Sequence, residues 1–135
     1  MSEFAIFDTS VLIDQLRTNC HSERIASLDV PVRSSSVVLA ELWRGATLAA
    51  ERKLLSEIEG NYPILVPTAN NWLESGQILA RMRGDHGFEP RKLRDLHFDV
   101  LIALTARSIG ARLVTSNRAD FELIREYRAF KLEVW

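Results

Sequence analysis

FDVLIALTARSIGARLVTSNRADF, residues 98–121, is the stretch that sets the fold class. Apolar residues stand at almost every position after Asp99, which predicts a largely buried helix over 96–109. Gly110 takes the place just past a helix C-terminus, where a left-handed backbone is common. Residues 111–116, ARLVTS, follow as a strand. Its apolar residues do not alternate with polar ones, as expected of a parallel strand buried on both faces. Residues 119–127, ADFELIREY, predict another helix. Helix, strand and helix in direct succession predict a parallel sheet covered by helices on both faces.

The rest of the chain alternates in the same way. Residues 3–7 predict a short buried strand, and 9–17 a helix entered through Asp8 or Thr9. Residues 22–29 predict a second helix with Ser22 as its cap. VPVRSSS, residues 30–36, predicts a strand and turn leading into a helix over 36–46. A further helix over 49–61 stops at Gly60, Asn61 and Pro63. PILVP, 63–67, is strand-like, 69–83 predicts a long helix, 84–90 a loop, and 130–135 a final strand. With 135 residues, 47% of them hydrophobic, the chain is expected to be one domain with a real core.

Charge and cysteine usage narrow the function classes. The net charge is −1, so the chain does not coat polyanions as a whole, and a site for one must be local. Cys20, the single cysteine, cannot close an intrachain disulfide and fits a reducing compartment. The N-terminus lacks a basic region followed by an apolar core, so no signal peptide is expected, and the longest apolar runs fall far short of the ~18 residues of a membrane span. A cytoplasmic protein without membrane contact is expected.

In parallel α/β sheets, ligands bind beyond the carboxyl ends of the strands. Asp8 stands at such an end, and so do Asn117 and Asp120. Glu41 shares a helix face with Val37, Val38 and Gly45, so an inward carboxylate there needs a cationic partner. Asp99 opens the buried part of its helix, with Asp95 one turn earlier. Each acid also has an ordinary role: Asp8 and Asp120 as helix caps, Asn117 as a turn residue, Glu41 on an exposed face, Asp99 in a first turn. Taken together they repel, and a divalent cation removes the conflict. Mg²⁺ suits an all-oxygen set and keeps some waters. The three histidines, His21, His86 and His97, are scattered and read as surface or loop residues, so zinc is not indicated. Walker, dinucleotide, nucleophile-elbow and CxxC motifs are missing from the sequence.

Three segments together, FDTSVLID (7–14), SSVVLAELWRGA (35–46) and the stretch at 98–121, resemble the PIN domain, and within it the VapC-like toxins of toxin–antitoxin modules. The resemblance spans nearly the whole chain. It implies a PIN-like three-layer α/β/α sandwich and a Mg²⁺- or Mn²⁺-dependent endoribonuclease. On the family pattern the first three acids fall on Asp8, Glu41 and Asp99. The fourth falls on Asp120 or at Asn117, with Asp120 preferred. Thr9 and Ser116 match polar residues that hydrogen-bond this cluster. Relatives imply a homodimer and a cognate antitoxin that blocks the acidic pocket.

An acidic pocket repels RNA unless cations surround it. Residues 81–94 carry Arg81, Arg83, Arg91, Lys92 and Arg94 against Asp85 and Glu89, and Arg44 and Arg118 lie near Glu41 and Asp120 in sequence. These seven are the candidate RNA-binding residues, with Trp43 and Trp72 as stacking surfaces or core. Leu54, Leu55 and Ile58 are candidates for a partner surface. Whether one metal ion or two would bind stays open. Two other readings compete: a PIN fold that binds RNA or protein without catalysis, and a phosphatase. The triplet Asp8-Thr9-Ser10 counts against the phosphatase, which favours Asp-x-Asp.

Overall fold

The computed structural model describes residues 3–135. Twelve elements follow in chain order: β1 (Ala5–Phe7), α1 (Thr9–Thr18), α2 (Ser22–Ala26), β2 (Val32–Ser35), α3 (Ser36–Gly45), α4 (Ala49–Asn61), β3 (Ile64–Leu65), α5 (Ala69–His86), α6 (Pro90–Ser108), β4 (Arg112–Thr115), α7 (Arg118–Tyr127) and β5 (Lys131–Val134). The strands form one sheet in the order β3-β2-β1-β4-β5. Every pairing is parallel, as expected from strands joined through helices.

Strand alternation builds the two interior layers. Ile6 pairs with Leu113, and both enter the larger core with Val38, Leu42, Leu101, Phe121 and Ile124. Their neighbours Ala5, Phe7 and Val114 point the other way, onto Val11 and Leu12 of α1. All three residues of β1 are buried, so the sheet is covered on both faces and an α/β/α sandwich results.

Local differences from the sequence reading have plain causes. α6 begins at Pro90, six residues before the expected start. Pro90 sits at the first helical position, where its missing N–H costs nothing. α5 runs on to His86 and ends at Gly87 in the left-handed region, so the expected 84–90 loop shrinks to three residues. α2 ends at Ala26, and its N-cap is His21, which makes no side-chain cap. The Ser22 hydroxyl instead donates to the Asn19 carbonyl. α7 is capped by Asn117, not by Asp120. Leu55 is core, and Leu54 and Ile58 are half-buried, so they form no open partner face. The exposed large apolar residues are Leu48, Tyr62, Ile64, Val66, Trp72, Leu73 and Ile109. His21 is buried rather than on the surface, and His97 lies half-buried in α6.

Gly110 turns the chain from α6 into β4 at φ +65. Space is open around it, so the cost of a side chain there is backbone strain alone. Gly110→Ala is expected to lower stability by about 1–2 kcal/mol, read as an earlier urea midpoint with an unchanged slope.

Candidate functional site

β1 lies between β2 and β4, at the point where the strand order reverses, and this is where an α/β sheet opens a crevice. Asp8 directly follows β1, and its N–H donates to the Val114 carbonyl at 3.0 Å, which extends the ladder one residue beyond the strand. Its carboxylate is 3% exposed. Oδ1 accepts from the Ser10 hydroxyl at 2.7 Å and from the Val11 N–H at 3.2 Å. Oδ2 accepts from the Thr115 hydroxyl at 2.6 Å. Asp8 therefore caps α1, and its charge acts on Glu41 and Asp99. Burial raises its pKa, and these hydrogen bonds oppose the rise.

The other acids arrive on helices. Glu41 is half-buried on α3, and its Oε1 accepts from the Thr9 hydroxyl at 2.8 Å. Burial raises its pKa, the charge of Asp8 adds to the rise, and Thr9 and Arg44 pull it down. Asp99 is pushed up to about 8, first by burial, then by the charges of Glu41, Asp8 and Asp120. Asp120 lies in the first turn of α7, where the helix dipole favours a carboxylate. Its Oδ1 receives Lys92 Nζ and its Oδ2 receives Asn117 Nδ2, both at 3.1 Å. The fold thus gathers Asp8, Glu41, Asp99 and Asp120 into one field. Asp95 stays exposed on α6.

The supporting groups divide. Thr9 holds Glu41, and Asn117 holds both ends of Asp120, since its Oδ1 accepts the Asp120 N–H at 3.4 Å. The Ser116 hydroxyl donates to Asp14 Oδ2 at 3.0 Å, outside the four acids. Sequence reasoning overlooked Ser10, Asp14 and Thr115. Thr115 is fully buried and binds Asp8 while accepting the Asn117 N–H at 2.8 Å. The one signal for it was a hydroxyl residue at the carboxyl end of an otherwise apolar strand.

The basic residues are not all in one place. Arg44 and Arg94 line a cleft of about 620 Å³ with Glu41, Asp95, His97 and Phe98, and Lys92 sits on Asp120. Arg81 lies elsewhere. Its guanidinium stacks 4.9 Å from the Tyr127 ring centre and lines a separate cleft with Glu74 and Arg128. Arg83, Arg91 and Arg118 are exposed. Trp43 donates its indole N–H to Glu59 and so ties α3 to α4. Trp72 is 50% exposed and meets His97 edge-on.

The donor chemistry fits a hard divalent cation. The facing acids are all oxygen donors, and burial and mutual repulsion hold Asp99 far above its usual range. Positive charge placed there removes that conflict. Among the described residues, no three carboxylate, histidine or cysteine side chains stand in a coordinating cluster.

A pH dependence follows. Asp99 titrates near 8 in the fold and near 4 in the unfolded chain. Between those values the folded state holds more protons, so stability is highest at low pH and falls as pH rises towards 8. Asp8 and Glu41 shift in the same direction. Melting in EDTA is expected to drop by several degrees between about pH 5 and pH 8.5, and excess Mg²⁺ is expected to flatten that trend.

A parallel sheet with carboxylates massed at its switch point is the architecture of an α/β protein that works at its strand ends. The chain belongs to the PIN domain family, whose model matches residues 5–127. Among solved structures it resembles a chain of the DNA-bound VapBC from Salmonella typhimurium, 27% identical, with a TM-score of 0.71, covering 100% of this chain and 99% of that one. A chain of VapBC2 from Rickettsia felis bound to a promoter DNA fragment is 21% identical, with a TM-score of 0.74 and 98% of each chain covered. VapBC-1 from nontypeable Haemophilus influenzae is also 21% identical, at a TM-score of 0.71 with 98% of each covered. No curated protein matches the chain by sequence. No helix among the described residues is long and apolar enough to cross a membrane.

Proposed function

We propose that this chain is a metal-dependent endoribonuclease, the toxin of a VapBC-type toxin–antitoxin pair. The observation that carries the reading is the convergence of four carboxylates from three helices and a strand end, with Asp99 pushed up to about 8. Such a pocket is costly without a cation. The Salmonella VapBC neighbour, similar over its whole length, supports the toxin assignment and with it a cognate antitoxin. A cytoplasmic homodimer is the assembly this reading expects.

Asp8, Glu41, Asp99 and Asp120 form the basin for Mg²⁺ or Mn²⁺. Such an ion, when bound, acts as a Lewis acid towards water and the phosphoryl oxygens. Asp8, gripped by Ser10, Val11 and Thr115, gives the basin a fixed wall. Glu41 has a raised pKa and only Oε1 tied to Thr9. It accepts the proton of the attacking water. Arg44 and Arg94 flank Glu41 and hold the phosphates of the RNA strand on either side, a term that weakens steeply with salt.

The test is incubation of purified chain with total RNA. Cleavage is expected with Mg²⁺ and not with EDTA. RNA binding without cleavage in either condition would reduce the protein to a binding module, and turnover of a phosphomonoester but not RNA would make it a phosphatase.

A further inference from the structure

Glu41 is common to two clefts. On one side it joins Arg44, Arg94, His97 and Phe98 along the larger cleft described above. On the other it lines a smaller cleft of about 80 Å³ between α1, α3 and α4, walled by Ile13, Leu16, Leu42, Gly45 and Leu55. Arg17 and Glu51 complete that wall. Arg17 is exposed in the last turn of α1, and its charge reaches Glu51. Glu51 is held in place, because its Oε1 accepts the N–H groups of Thr47 and Leu48 at 3.2 and 3.0 Å. The smaller cleft has room for on the order of six waters. That suits one flat ring and is too little for a whole nucleotide. A strand lying across Glu41 therefore meets guanidinium groups on one side and an apolar slot on the other. Phosphates and flat ring faces recur along a single-stranded nucleic acid in the same way.

Resting on the nuclease reading above, we infer that the slot between α1, α3 and α4 receives one pyrimidine base of the RNA, next to the phosphate that is cut. Proteins that read RNA sequence take unpaired bases, cover their faces and hydrogen-bond their edges. Here Ile13, Leu16, Leu42 and Leu55 offer the apolar surface. The Arg17 guanidinium, which only donates, meets a ring carbonyl at the base edge. A purine brings a second fused ring that the slot does not hold, and a paired base leaves its stack only at a cost. The same helix, α3, thus carries Glu41 and one wall of the slot that selects the base beside it.

Gly45 provides the means of closing the slot. It lies one turn beyond Glu41 on α3, its φ is not in the left-handed region, and a Cβ placed there meets no atom within 4 Å. Gly45→Leu is expected to melt no lower than the wild type while filling the slot. Total RNA is cut in the presence of Mg²⁺ and the new ends are sequenced. The wild type is expected to show one position beside the cut where pyrimidines dominate. Gly45→Leu is expected to lose that preference. On a single-stranded oligonucleotide carrying the preferred site, its KM is expected to rise about tenfold or more, with kcat changed far less. Arg17→Met, which keeps the stem and drops the donors, is expected to weaken the preference at an unchanged melting temperature. An abasic nucleotide at the preferred position is expected to cost the wild type about tenfold in kcat/KM and Gly45→Leu almost nothing. The abasic comparison on the wild type decides the matter if Gly45→Leu melts lower. Wild-type ends without base preference, or a preference that survives in Gly45→Leu, would overturn the inference and leave the nuclease standing. Unchanged cleavage by Gly45→Leu would do the same and make the slot a seat for a protein side chain. If the wild type cuts no RNA, the nuclease reading falls first and this inference with it.

Discussion

Asp99→Asn is expected to cut RNA cleavage by at least about a hundredfold and, in EDTA at pH 8, to make the protein melt higher than the wild type. The two effects come from one cause. Asp99 is half-buried and feels the charges of Glu41, Asp8 and Asp120, with Lys92 opposing them. Asparagine keeps the shape and removes the charge, so the fold loses a repulsion and, on the proposed function, the basin loses a ligand. A stabilisation of order 1 kcal/mol is about 3–5 °C in a chain of this size. The gain is expected to shrink at pH 5, where Asp99 already carries a proton in the fold. Activity loss accompanied by a lower melting temperature would mean that the variant merely unfolds. A higher melting temperature with undiminished cleavage would remove Asp99 from the chemistry.

Phe121→Ala carries the second large effect. Phe121 follows Asp120, is fully buried, and packs edge-on against Phe130 with ring centres 6.5 Å apart. It fastens α7 to the larger core, and that attachment places Asp120 and Asn117. Truncation is expected to cost about 3–5 kcal/mol, much of the 5–15 kcal/mol that holds a typical domain together. The urea midpoint is expected to fall by more than half if stability lies at the low end of that range. Phe121→Leu is expected to lose far less stability and to keep cleavage. A small loss for Phe121→Ala would show that α7 is held by Ile124 and Phe130 instead.

The fold was legible because its signals are local. Phe98 to Phe121 reads as helix, turn and strand from periodicity, a glycine and an unbroken apolar run, and all of these are found. Boundaries were less legible where two signals competed. Pro90 and Gly87 read as loop residues, yet one starts a helix and the other ends one, so a loop of seven residues contracted to three. Leu55 was misjudged because Arg52, Lys53 and Glu57 stand close to it in the sequence; only the packing of α4 against α3 buries it.

For the site, residue types and their order pointed to Asp8, Glu41, Asp99 and Asp120, and strand-end logic brought Asp8 and Asp120 to one edge. Chain spacing says nothing about how helices cross, however, and the remaining facts are made of such crossings. Thr115 meets Asp8 only because β1 and β4 lie side by side. Lys92 reaches Asp120 only because α6 packs against α7, and Arg81 parts from the acids because it points at Tyr127. Composition and order along the chain determined the class of fold and the chemistry available to it. Which hydroxyl holds which acid, and which cation stands among them, was decided by contacts between residues up to 107 positions apart, and those exist only once the sheet has formed.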